Sequence, residues 1–198
     1  MNLPNKITLT RILMIPIFVA IFFLDTIIPF AFGIAAIVFA LAACTDFIDG
    51  HIARSRGLVT NLGKFLDPIA DKVLVSTAML LILTMKDSLF GQLAYANALY
   101  VATAVCTCVI MARELIISAF RQIAATRGLV MAADKLGKYK TTFQDVSIFA
   151  LIFSASLTGT AMKVVAIIGL VLFAVATILT VVSGISYVVK NKQVLKDE

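Results

Sequence analysis

Six long uncharged runs alternate with charged segments along the chain: 12–24, 26–45, 73–85, 88–112, 146–162 and 164–189. A helix that crosses a bilayer takes about 20 residues. Runs 26–45, 88–112 and 164–189 reach that length and 146–162 nearly does. Runs 12–24 and 73–85 reach it only if their helices begin earlier, near Asn5 and near Lys64. The pattern predicts an all-α, polytopic membrane protein with six transmembrane helices in a single domain, residues 1–198. The connecting segments are short, and no repeat or low-complexity stretch interrupts them. Arg56 to Gly63 is expected to join the second and third helices, and Thr126 to Gly137 the fourth and fifth.

Six crossings put both termini on one side, and basic residues choose it. Segments 1–11, 46–72, 113–145 and 190–198 hold fifteen of the 17 Lys and Arg, whereas the opposite loops hold only Lys86 and Lys163. Basic residues accumulate on the cytoplasmic side, so both termini are expected there, in a multi-pass protein of the cell membrane.

Composition agrees, with 61% hydrophobic and 14% charged residues, too apolar for a soluble domain of this size. With no Trp, any interfacial aromatic belt rests on Tyr and Phe. Cys44, Cys106 and Cys108 lie inside apolar runs and read as packing residues; a zinc site would need a fourth ligand, and the only His is His51. The first apolar run leads to Asp25 without a signal-peptidase pattern, so it is expected to stay as a helix.

Against this background four carboxylates stand out: Asp46, Asp49, Asp67 and Asp71, with Gly50, Ala53, Arg54 and Gly63 between them. The spacing is D-x2-D-G-x2-A-R-x8-G-x3-D-x3-D. Residues three or four apart share a helix face. The end of the second helix and the start of the third would therefore bring four carboxylates together at the cytoplasmic side. Such a group repels itself unless cations neutralise it. Carboxylate oxygens without Cys or paired His suit Mg²⁺, Mn²⁺ or Ca²⁺ rather than zinc. Four of them could hold two ions about 3.5–4 Å apart, an arrangement used for displacement at phosphorus. Gly50 would let a ligand approach the backbone, and Arg54 could reach a phosphate. Gly63, expected in a loop, would supply either an unusual backbone angle or room for a ligand.

This pattern resembles, at all eight positions, the signature of the CDP-alcohol phosphotransferase family of membrane enzymes. The resemblance implies a CDP-diacylglycerol-dependent phosphatidyltransferase of phospholipid biosynthesis, with Mg²⁺ or Mn²⁺, two ions, as cofactor. It makes Asp46, Asp49 and Asp67 metal ligands, and Asp71 a ligand and the general base. Three softer stretches are most similar to bacterial members whose acceptor is glycerol 3-phosphate: Leu3-Pro4-Asn5 leading to Thr8 and Arg11; Asn61 to Pro68; and Ala112-Arg113-Glu114 through Arg121 to Lys135-Leu136-Gly137-Lys138-Tyr139-Lys140. The partners implied are CDP-diacylglycerol, glycerol 3-phosphate, membrane lipids and a second copy in a homodimer, with no nucleic acid.

The remaining charged residues are read against that chemistry. Arg113, Arg121, Lys135, Lys138 and Lys140 would form a cytoplasmic pocket for the acceptor's phosphate, although basic residues there also anchor helices against anionic lipid. Asn5, a good N-cap, and Thr8 could touch the nucleotide of the CDP-lipid, together with Gly50, Arg54 and Gly63. Arg11 reads as an interfacial anchor and Glu114 as the partner of a neighbouring base. Inositol phosphate, inositol and phosphatidylglycerol are alternative acceptors. An ion-coupled transporter is the alternative of a different class, but its carboxylates would sit nearer the midplane.

Overall fold

The computed structural model describes residues 3–55, 61–126 and 135–192, with side chains for 8–45, 66, 69–124, 126 and 137–192. Among the described residues the fold is all-α. Its helices are α1 (Leu3–Phe22), α2 (Ala31–Ser55), α3 (Asn61–Thr84), α4 (Ala96–Thr126), α5 (Lys135–Ser154) and α6 (Gly159–Lys190), with a 3₁₀ turn at Phe90–Gln92.

Buried positions recur every three or four residues, the period that keeps side chains on one helix face. In α1 the stripe is Thr8, Arg11, Ile15, Phe18 and Phe22. In α6 it runs Met162, Ala166, Gly169, Phe173, Ala176, Thr180, Ser183 and Tyr187. Polar residues lie on these inner faces. The outer faces carry exposed Leu13, Ile17, Leu41, Val105, Val171, Ile178 and Ile185. Apolar outside and partly polar inside is the reverse of a soluble bundle and suits a hydrocarbon solvent.

Small residues set how closely the helices approach. Ala35, Ala36 and Ala42 of α2 are wholly buried. Phe18 of α1 packs its ring 5.9 Å from that of Phe39 in α2. A Cβ on Gly169 of α6 would stand 2.9 Å from Leu151 Cγ and 3.2 Å from the Leu151 backbone nitrogen in α5. With no hydrophobic drive between helices in lipid, such close contact is what dispersion attraction requires. Gly159 opens α6 at φ 61°, a conformation glycine adopts without strain.

α4, over Ala96–Ala124, and α6 are 29 and 32 residues long and apolar enough to cross a membrane. Shorter apolar stretches occupy Thr8–Phe22 and Ala31–Thr45. The helices depart from the uncharged runs where polar residues continue the same face. α2 runs on through the aspartate motif to Ser55, and α4 runs through Arg113 and Arg121 to Thr126. Gly63, expected in a loop, instead lies in the first turn of α3, because Asn61, a residue type favoured at helix N-termini, opens that helix.

Candidate active site

The last turns of α2 carry Asp46, Asp49, Gly50 and Arg54, and the first turns of α3 carry Gly63, Asp67 and Asp71. α2 and α3 pack against each other, and α3 also touches α4 and α5. The side chains of Asn5, Asp46, Asp49, Arg54, Asp67 and Lys135 lie outside the described residues, as do those of the His51 segment. Asp71 is described and half-buried. It lines a cleft of about 50 Å³ together with Lys72, Glu114, Lys140, Gln144 and Asp145.

A network across four helices meets this cleft at Lys72, Glu114, Lys140 and Gln144. Glu114 of α4 accepts from Arg113 Nη1 at 2.9 Å and from the ammonium of Lys140 in α5. Arg113 turns its other terminal nitrogen, Nη2, to Ser183 Oγ of α6 at 2.9 Å. Its stem lies along Gly184, where a Cβ would come within 3.0 Å of both Cγ and Nε. Lys72 of α3 donates to Ser118 of α4. Gln144, one turn beyond Lys140, contacts Met79 Sδ at 3.6 Å. Lys140 is the most enclosed member of the pair, its side chain 7% exposed against 27% for Glu114. Pairs this sheltered are screened less than surface ion pairs, and a hydrogen bond to a charged group contributes about 1.5–3 kcal/mol.

Arg113 and Lys140, two of the five basic residues read as a phosphate pocket, thus meet on one carboxylate. The pairing of Glu114 with a neighbouring base, expected from sequence, is present on two sides. Arg121 is engaged elsewhere: its Nε donates to Tyr187 Oη at 3.1 Å and its guanidinium lies 5.2 Å from that ring's centre. Lys138 is exposed. The cleft is also less basic than expected. Its lining holds Lys72 and Lys140 beside Asp71, Glu114 and Asp145, and Lys140 already donates to Glu114.

In α1, Thr8 is buried, as is Arg11. Arg11 donates from Nε to Thr45 Oγ1 at 3.1 Å, and Thr45 in turn donates to the Ala42 carbonyl at 2.6 Å. Arg11 is therefore tied to the residue preceding Asp46 and is no surface anchor. Its signal was in the sequence: it falls on the same 3-4-3-4 stripe as Thr8, Ile15, Phe18 and Phe22. Nothing local in the sequence distinguishes Ser118, Gln144 and Ser183; they gain a role only where the helices converge.

The chain matches the family model described as CDP-alcohol phosphatidyltransferase over residues 1–189. It is 42% identical over 207 aligned residues to the CDP-diacylglycerol–glycerol-3-phosphate 3-phosphatidyltransferase of Bacillus subtilis (strain 168), covering 98% of this chain and 97% of that one. Proteins of the same name are 38% identical in Shigella flexneri serotype 5b (strain 8401), covering 100% and 98%, and 33% identical in Rickettsia bellii (strain RML369-C), covering 94% and 93%.

Proposed function

Because the chain belongs to the CDP-alcohol phosphatidyltransferase family, we propose that it transfers a phosphatidyl group from CDP-diacylglycerol to glycerol 3-phosphate, giving phosphatidylglycerophosphate and CMP. The observation that carries this reading is end-to-end likeness to phosphatidyltransferases of that name, in a chain with the full eight-position aspartate motif.

The donor set fits a divalent metal. Asp46 and Asp49 end one helix, Asp67 and Asp71 begin the helix packed on it, and all four offer hard carboxylate oxygens. These residues would hold two Mg²⁺ or Mn²⁺ ions, which, when bound, neutralise charge on the pyrophosphate. Asp71, in the cleft, takes the proton from the acceptor hydroxyl. That oxygen forms a bond to the lipid-side phosphorus as the bond from phosphorus to the CMP oxygen breaks, and CMP leaves with the electron pair. Arg113 and Lys140 bind the acceptor's phosphate, with Arg121, Lys135 and Lys138 adding positive potential around the entrance. Asn5, Thr8, Gly50, Arg54 and Gly63 contact the CDP-lipid.

The same reading orients the bundle. All six helices cross the cell membrane, both termini face the cytoplasm, and the active site opens on that side. At 1.5 Å per residue α4 spans about 44 Å, beyond a hydrocarbon core of about 30 Å, so its end carrying Arg113, Glu114 and Arg121 reaches the head-group level. The protein works as a homodimer.

The test is release of CMP from CDP-diacylglycerol by purified protein with Mg²⁺ or Mn²⁺ across a panel of acceptors. Release should depend on glycerol 3-phosphate and stop with chelator. Release with inositol phosphate instead would keep the aspartate chemistry and overturn the acceptor assignment.

A further inference from the structure

We infer that Glu114 and Ser183 are positioning residues that set acceptor affinity by holding Arg113 and Lys140 in place for the acceptor's phosphate; this rests on the phosphatidyltransferase reading above.

Lys and Arg side chains lose about 2 kcal/mol of rotamer freedom when fixed, so a cation ordered before the ligand arrives binds it more tightly. Arg113 is ordered by three features on three sides. Glu114 takes Nη1 and Ser183 takes Nη2, both at 2.9 Å, while Gly184 leaves the space its stem fills. Lys140 is 6% exposed and directed onto the same carboxylate. Glu114 thus joins α4 to α5 through Lys140 and fixes the spacing of two cations that begin on different helices. It also supplies the counter-charge that lets both cations remain largely buried before a ligand arrives. A phosphate carries enough acceptor oxygens to bond both cations while each keeps its bond to Glu114, since guanidinium and ammonium have donors to spare.

Ser183 is the independent element. It lies on α6, otherwise one of the most apolar helices, and is buried at 1% exposure. A serine facing inward on a membrane helix needs a hydrogen-bond role, and here it donates to the Thr180 carbonyl and accepts from Arg113.

The experiment compares steady-state kinetics of Glu114→Gln, Ser183→Ala and the unaltered chain in mixed micelles, varying glycerol 3-phosphate and CDP-diacylglycerol separately. Glu114→Gln keeps size but removes the charge that holds two cations. Its KM for glycerol 3-phosphate should rise about tenfold or more, as expected for losing a charge-assisted hydrogen bond. Ser183→Ala removes one hydroxyl, and its acceptor KM should rise about threefold to tenfold on the same basis. In both, the KM for CDP-diacylglycerol should stay within about twofold, because the CDP-lipid is held elsewhere. A merely structural role would lower kcat or raise both KM values together, and that result overturns the inference. Unchanged acceptor KM in Ser183→Ala, the milder variant, overturns it even if Glu114→Gln fails to fold. If the unaltered chain does not use glycerol 3-phosphate, the functional reading itself fails, an outcome distinct from these two.

Discussion

Replacing Gly169 with Ala tests how closely α5 and α6 approach. The new methyl would meet Leu151 Cγ at 2.9 Å, Cδ2 at 3.0 Å and the backbone nitrogen at 3.2 Å. Leu151 is wholly buried, so its side chain has no free space to enter, and the backbone can move only with the helix. Overpacking of this kind costs about 1–3 kcal/mol. Against it stands the better helix propensity of Ala over Gly, about 1 kcal/mol. The net expectation is a loss of about 1 kcal/mol, which for a chain of this length lowers the melting temperature by about 2–4 °C. Gly169→Val adds two more methyl groups against the same wall and should lower it further. Gly137, near the start of α5, is the control: a Cβ there meets nothing within 4 Å among the described residues. Gly137→Ala should leave the melting temperature unchanged or raise it slightly through backbone entropy. Thermal unfolding in one detergent, followed by a thiol-reactive or tyrosine signal, gives all three values. A rise in melting temperature for Gly169→Ala would refute the close α5–α6 contact.

Other perturbations probe the site and the core. Asp71→Asn removes the proposed base while leaving three carboxylates, so CMP release should fall to background while Mn²⁺ binding, followed by calorimetry, persists; undiminished turnover refutes the base role. Arg113→Ala should raise the KM for the acceptor much more than that for the CDP-lipid, and equal effects would argue against an acceptor pocket. Phe18→Ala removes a fully buried ring that meets Phe22 edge-on and Phe39 at a tilt, with ring centres 6.3 and 5.9 Å away. It should cost about 3–5 kcal/mol and appear as a fall of about 6–20 °C in melting temperature.

How much of this was legible in the chain differs by residue. The aspartate motif could be placed on two helix ends because an apolar run stops at Thr45 and another begins after Lys72, and helices α2 and α3 do carry it. Arg113 and Arg121 both precede the connection expected at Thr126 to Gly137, and α4 continues through both. Helix starts were less legible. Gly63 lies inside α3 and not before it, since a glycine near a helix N-terminus carries little penalty and gives no stop signal. Arg11 was misplaced at the surface because charge suggests exposure, whereas its register in the 3-4-3-4 stripe directs it inward to Thr45. The convergence of Arg113, Glu114, Lys140 and Ser183 could not be read locally. Those four residues come from three helices, and Ser183 is 70 positions from the arginine it bonds. Only packing reveals that Glu114 balances two of the cations that sequence alone collected into a basic pocket.

The central claim is attack by the acceptor hydroxyl on the lipid-side phosphorus, and an oxygen label tests it most directly. Glycerol 3-phosphate carrying heavy oxygen at its free primary hydroxyl would be incubated with CDP-diacylglycerol, protein and Mg²⁺, and both products weighed by mass spectrometry. The account predicts the label in phosphatidylglycerophosphate, unlabelled CMP, and no product after chelation. Label in a cytidylyl product with release of phosphatidic acid, or CMP formed without any labelled lipid, would contradict it.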